Sequence, residues 1–501
     1  MGHMHPSTPA ERAQWAAYLL AHDGEHGVIT HISRVSGASR PTVYAWRERA
    51  RAALVAVWAP PAPPAAVAPD LIRHVLTIWC AHASTRAIQQ VLATTTGQHL
   101  SLATITAILH DAQQRAIAWM QTPAPPGRRA LALDEIYAHD RRGAYLNVVD
   151  VHSGAVWASE GPLPVDTESW QLVLWSLQDR AVRWDRVVGD EGPALHAACQ
   201  AVCPAVPFQS DQWHVWQTCA QSQARLNRVG QRLAARTPAV TRQAARVAAG
   251  QRPRGRCPQS DVAAHAAAVA TAQRVATAVS ILTHEVRRLV HVIVCDHRGV
   301  LTAAQRQADL TAALALLAEV RATAPADQQA EVQRVWTRLT NARSGMLAFV
   351  PQVDQVQQDL AGVLAPDQQA LLAWAWLRRT RLGWTSADIL AAIPPTWREA
   401  ARVLLATWDT AVRVSSAVER WHSILRPHLT VRRRLTTGML ALLAVWHNHR
   451  VFPRGQHKGK NPLHLSGIPD APTDWLVALG YPPAPATTGQ EPAPCAVPLA
   501  A

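Results

Sequence analysis

The chain has 501 residues, 49 of them Lys or Arg against 35 Asp or Glu, for a formal charge of +14; that length supports about three to five domains with cores of their own. No apolar run reaches roughly 18 residues and no charged-then-apolar signal pattern opens the chain, so the expectation is a cytoplasmic protein without a membrane partner. The seven cysteines form no CxxC pair, and Cys199 with Cys203, at helical spacing, reads as packing rather than a zinc site.

Lys458 and Lys460 are the only lysines, so nearly all the positive charge is arginine, whose planar fork suits phosphate. Residues 1–129 hold eleven arginines and six acids, and residues 415–460 hold nine basic side chains around one acid, Glu419. A GC-rich coding bias explains Arg over Lys but not this clustering, which points to a nucleic-acid partner.

In residues 1–58, the run 28–35 has apolar residues at helical spacing, Gly37 breaks it, and Ser39 can cap a helix over 40–47. The pattern resembles a helix-turn-helix, with Ile32, Val35, Val43 and Trp46 expected in the core and Arg40, Thr42, Tyr44 and Arg47 left for DNA. A proline-rich linker over 59–69 leads to a second unit, 70–120, on the same plan: a helix over 85–92, a turn at Gly97, and Ser101 capping 102–109, with Thr104 placed for DNA. Plain helical hairpins are the alternative for both.

After a second proline-rich run, 121–126, the period changes to two. Strands are expected over 131–138, 144–151 and 155–160, with turns at Arg141-Arg142-Gly143 and Ser153-Gly154. Asp166 or Thr167 opens a helix through Leu177; a strand ending near Gly189, a helix over 192–203 and a strand over 206–209 follow. This β-β-β-α-β-α-β order is characteristic of a ribonuclease H-like α/β fold. Its first part would cover 130–214, a helical insertion 215–414, and its final helices 415–465, before a Pro/Ala-rich tail over 466–501. The run 302–317 is one clear amphipathic stretch of the insertion.

Asp134 and Asp190 lie in or just after apolar runs, where an unpaired carboxylate is costly to bury. With Glu419 they could gather around two Mg2+ ions, which favour oxygen ligands and keep positions open for phosphate and water; Mn2+ could substitute. Glu135 and Glu191 are the neighbouring rivals. Glu419 also fits a capping box, since Ser416-Ala417-Val418-Glu419 reads S-x-x-E.

Over residues 130–465 the chain resembles DDE transposases of bacterial insertion sequences, in the mutator-like group with a helical insertion before the final Glu. The resemblance rests on Asp134, Asp190 and Glu419, on an Asp211-x-x-His214 element after the fifth strand, and on the helix from Glu419 to Arg426 followed by an apolar helix ending His447-Asn448. It implies a supporting role for Asp211 and His214, although Asp211 could simply cap a helix. It also implies binding of terminal inverted repeats, metal-dependent cleavage, and transfer of the 3′-hydroxyl to target DNA. Partners would be double-stranded DNA, as transposon ends and target, and a second copy of the chain in the nucleoid. Arg420, Arg426, Arg432, Arg433 and Arg434 would hold phosphates without reading sequence. An inactive transposase-derived DNA-binding regulator and a stand-alone nuclease are the competing readings.

Overall fold

Residue 128 marks the change from helical to alternating periodicity, and the backbone changes with it. The computed structural model describes residues 8–58, 67–138, 143–252, 260–454 and 457–484. Arg141, Arg142, Cys257, Cys495, most of the first proline-rich linker and the tail from 485 lie outside the described residues. The described residues divide into two compact units, one drawn from 8–75 and 89–111, the other from 76–88 and 112–484.

Thr8 and Glu11 close a reciprocal capping box that opens α1 (Pro9–Ala21). α2 (Val28–Ser36) is bracketed by the left-handed glycines Gly27 and Gly37, and α3 (Arg40–Trp58) follows. Together they bury Leu19, Ile32 and Val43, with Trp15 stacked on Trp46 at 5.7 Å. Val35, expected in this core, is 59% exposed; α1, which the periodicity left unmarked, supplies Leu19 and Trp15 to the core instead. α4 (Pro69–Cys80), α5 (Thr85–Thr96) and α6 (Leu102–Met120) follow, the last two longer than expected. Gly97, at φ +68°, follows α5, and the Ser101 hydroxyl accepts from Thr104 N at 3.0 Å where α6 begins.

A five-stranded mixed sheet has the order β3-β2-β1-β4-β5. Its strands are β1 (Arg128–Tyr137), β2 (Ala144–Asp150), β3 (Val156–Leu163), β4 (Arg183–Gly189) and β5 (Phe208–Ser210). β1 pairs antiparallel with β2 and parallel with β4, and β4 pairs parallel with β5. Crossover helices α7 (Thr167–Asp179), capped by Asp166, and α8 (Pro193–Val202) join the later strands. Alternation assigns the two faces of β1. Leu131 and Leu133 share a core with Trp170, Leu174 and Leu195 of α7 and α8. Ala132 and Asp134 point the other way.

That second face is covered by α17 (Ser416–Val431), which packs on β1 and β2, while α18 (Thr437–His449) packs on β3. Asn448 holds the β3 backbone from the side, accepting from Val156 N at 2.7 Å and donating to Val156 O at 2.9 Å. Beyond them lie the short helices α19 (Pro462–Leu465) and α20 (Trp475–Ala478).

Between β5 and α17 the chain builds a helical insertion: α9 (Gln212–Ala248), α10 (Val262–Leu289), α11 (Ala303–Thr323), α12 (Ala326–Met346), α13 (Val350–Asp359), α14 (Pro366–Leu382), α15 (Ser386–Ala392) and α16 (Pro395–Asp409). Expected to be helical throughout, it also contains a hairpin, β6 (Cys295–Asp296) with β7 (Gly299–Val300). Arg306 is buried beside it and donates to the carbonyls of His291, Val292 and Leu301 at 2.7, 3.1 and 3.2 Å. These bonds satisfy carbonyls of the segments that flank the hairpin. α10 is long and apolar enough to cross a membrane, but its Val275, Val279, Val286 and Leu289 belong to the core of the insertion.

Candidate functional site

Asp134 and Asp190 come together through strand register. Leu133 pairs with Gly189 across the parallel β1–β4 ladder, so the next residue on each strand is an acid. Asp134 is buried, on the face that α17 covers, and Glu419 lies in the first turn of that helix. Ligand atoms of Asp134, Glu419 and His422 all lie within 4.8 Å of one another. His422 Nδ1 is 3.7 Å from Asp134 Oδ2 and 4.0 Å from Glu419 Oε1.

Asp190 stands beside this group rather than in it. Its Oδ1 accepts from Gly192 N at 2.9 Å, a close turn in which a Cβ on Gly192 would meet the same oxygen at 2.8 Å. Glu135 points to the other face and is also outside the group; Glu191 Oε1 is buried with no hydrogen-bond partner.

The expected capping box at Glu419 does not form. The N-cap is Ser415, one residue earlier than the sequence pattern put it, and it makes no side-chain cap bond. Its hydroxyl donates to Asp211 Oδ2 instead, and its N–H donates to the same oxygen at 3.2 Å. Asp211 Oδ1 meanwhile caps α9, accepting from Trp213 N at 2.8 Å. The capping reading of Asp211 thus holds, and the same buried carboxylate also bonds Ser415 at the start of the helix carrying Glu419. Glu419, free of capping, accepts from Arg426 Nη2 at 2.9 Å.

His214 Nε2 faces Asp134 Oδ2 at 4.0 Å and Asp211 Oδ2 at 3.9 Å, and it is buried without a hydrogen-bond partner. Burial pushes the Asp134 carboxyl up to about 8, with the charges of Glu135, Asp190 and Glu419 adding to the shift against a lowering backbone hydrogen bond. Glu135 is raised to about 7, chiefly by burial and then by Asp190. His422 is lowered to about 4, by burial first. A buried carboxyl that resists ionisation, with Glu419 and His422 converging on it and the orphaned His214 nitrogen facing it, is an arrangement that a cation could complete.

Behind the acids lies a buried network that the sequence reading did not single out. Asn147, directly opposite Asp134 in the β1–β2 register, accepts from Trp421 Nε1 at 2.9 Å and Ser159 Oγ at 2.8 Å. Two signals were present. Asn147 is a polar residue in the middle of an apolar strand, and His422 lies three residues after Glu419, on the same helix face.

The basic residues divide. Arg420, Arg426 and Arg433 are exposed and Arg434 is exposed near them. Arg432 is half-buried; it lies over Trp79 at 4.8 Å and donates to Ala83 O at 2.6 Å and towards His428 Nδ1 at 2.9 Å. Its fork is committed inside the fold, contrary to the phosphate role expected for it. On α3, Arg40, Thr42 and Tyr44 are exposed, but Arg47 is half-buried and paired with Asp23 at 3.1 Å. Thr104 is half-buried, its hydroxyl 2.8 Å from that of Ser101. Cys199 and Cys203 are buried free thiols in the core beside α7.

No protein-family model matches this chain, and no curated protein matches it in sequence. The functional reading therefore rests on the geometry.

Proposed function

We propose that the chain is a DNA transposase of the DDE type, with a ribonuclease H-like catalytic core interrupted by the α9–α16 insertion. The observation that carries this reading is the meeting of Asp134, within the central strand β1, with Glu419, which returns to it only after the whole insertion. Asp190, at the end of the adjacent parallel strand, adds the third acid.

A divalent cation, Mg2+ or Mn2+, would supply Lewis acidity towards a water or 3′-hydroxyl and the leaving oxygen of a phosphodiester. Asp134 and Glu419 would hold it, with Asp190 alongside. Asp211 fixes the start of α17 and so the position of Glu419. Arg426 limits the charge left on Glu419, and Arg420 and Arg433 offer forks to the DNA backbone. The α2–α3 pair, with Arg40, Thr42 and Tyr44 outward, is read as a helix-turn-helix for the element's ends, and the α5–α6 pair as a second one. Double-stranded DNA and a second copy of the chain are the partners, in the cytoplasm.

The test uses a DNA end from the sequence flanking the gene. Wild-type protein with Mg2+ is expected to cleave it and join the 3′-end to a target plasmid; Glu419→Gln and Asp134→Asn are expected to bind equally and do neither. Equal activity of the variants would remove the acids from the chemistry. Binding without cleavage by the wild type would favour a DNA-binding relic, and cleavage without joining a nuclease.

A further inference from the structure

The buried network behind the acids fixes the state of a histidine. Asn147 Oδ1 receives the Trp421 indole N–H at 2.9 Å and the Ser159 hydroxyl at 2.8 Å. An indole nitrogen can only donate, so the amide orientation is set: Oδ1 accepts and Nδ2 donates. The two Nδ2 contacts are Tyr145 O at 2.8 Å and His422 Nε2 at 3.1 Å. A ring nitrogen that accepts an amide N–H carries no proton. The proton of His422 therefore sits on Nδ1, the nitrogen that faces Asp134 and Glu419. Turning the ring over would put a C–H against the Asn147 amide and a carbon against the carboxylates, losing both contacts.

We infer that His422 is a positioning residue rather than a metal ligand: the Trp421–Asn147–His422 relay presents an Nδ1–H to the carboxylates of Asp134 and Glu419. A protonated ring nitrogen has no lone pair for a cation, so the ligand set consists of carboxylate oxygens, the donors that Mg2+ prefers. A shift of about 1 Å brings Nδ1 into hydrogen-bonding range of Asp134 Oδ2. The bond holds that oxygen in place and leaves the carboxylate's other lone pairs for the metal. The positioning role rests on the cation-binding reading of the acids; the tautomer does not.

The experiment is nitrogen-15 NMR of the full-length protein labelled at histidine, with His422 assigned by loss of its signals in His422→Asn. The wild type is expected to show the Nδ1–H tautomer, unchanged on saturation with Mg2+. An Nε2–H tautomer in the free protein, or loss of the Nδ1 proton when Mg2+ is added, would overturn the inference, and His422→Gln supplies the same assignment should His422→Asn not fold. Asn147→Asp, which accepts where the amide donates, is expected to move the proton to Nε2. In Mg2+ calorimetry His422→Asn, whose amide places an N–H near the position of Nδ1, is expected to keep the affinity, whereas His422→Leu lowers it by about tenfold or more. Loss of binding in His422→Asn as complete as in Asp134→Asn would make His422 a ligand after all. An Nδ1–H signal in a wild type that binds no Mg2+ would overturn the positioning role through failure of the metal reading, with the tautomer intact.

Discussion

At the scale of single residues, the candidate site is dominated by one carboxylate held against its preference. Asp134 is raised to about 8 mainly by burial. An acid whose folded pKa lies above its unfolded value contributes stability that is present at low pH and is lost as pH rises from about 4 through 8. A cation bound to the ionised form reverses that loss and displaces the proton. Binding of Mg2+ near pH 7 should therefore release protons, seen as a dependence of calorimetric heat on the buffer's ionisation enthalpy, and Asp134→Asn should remove most of that release. Asp211 makes the opposite case, an acid fully supplied with donors. Asp211→Ala would orphan the Ser415 hydroxyl and N–H and the start of α9, and should cost about 1–3 kcal/mol in urea unfolding. On the proposed transposase reading, DNA joining by this variant should fall further than that stability loss explains, because the helix carrying Glu419 loses its anchor.

At the scale of elements, what could be read from the sequence and what could not separate by how local the determinant is. The seven-element run from β1 to β5 was legible because each strand and helix carries its own period and its own turn residues, such as Ser153-Gly154 and the Asp166 cap. The neighbouring positions of Asp134 and Asp190 were legible with it, since strand order and register set them side by side. The fate of Arg432 was not, because nothing near it in sequence announces the Ala83 carbonyl and Trp79 ring that take up its fork. The β6–β7 hairpin was hidden for a similar reason: two residues per strand carry no period, and Arg306, buried on α11, holds the segments that flank it. Ser415 displaced the S-x-x-E box because its hydroxyl found a better acceptor in Asp211, a residue remote in sequence. Non-local packing also leaves a testable mark at α12. A Cβ on Gly345 would lie 1.9 Å from Ser210 Oγ and 3.0 Å from Ser210 N, so Gly345→Ala must push α12 away from β5, the strand just before Asp211. A loss of about 1–3 kcal/mol is expected, and an unchanged unfolding midpoint would mean that the contact yields freely.

At the scale of the whole molecule, the two helices that close the sheet make folding sensitive to acid. His428 in α17 is lowered to about 3, by burial and then by Arg432 and His82, and His447 in α18 to about 4, by burial against the gain from its bond to Gly154 O. A histidine whose folded pKa is depressed contributes stability that is present above its unfolded value of about 6.5 and is lost as pH falls towards the folded one. Asp134 and Glu135 act in the opposite direction, because the folded state keeps their protons up to about 8 and 7. Between about pH 4 and 6.5 the metal-free protein thus sets these two histidines and His422 of α17, itself lowered to about 4 by burial first, all of which favour unfolding as acid is added, against two acids that oppose it. A bound cation removes the contribution of Asp134 and leaves the histidines less opposed. Urea midpoints measured from pH 7 to 4 should therefore fall more steeply with Mg2+ held at saturation than without it. His447→Gln, whose amide N–H can still reach Gly154 O, should flatten the fall in both conditions. A pH slope indifferent to Mg2+ would mean that the cation does not displace the Asp134 proton, and Asp134 would then have to be read as a buried protonated acid rather than part of a metal centre.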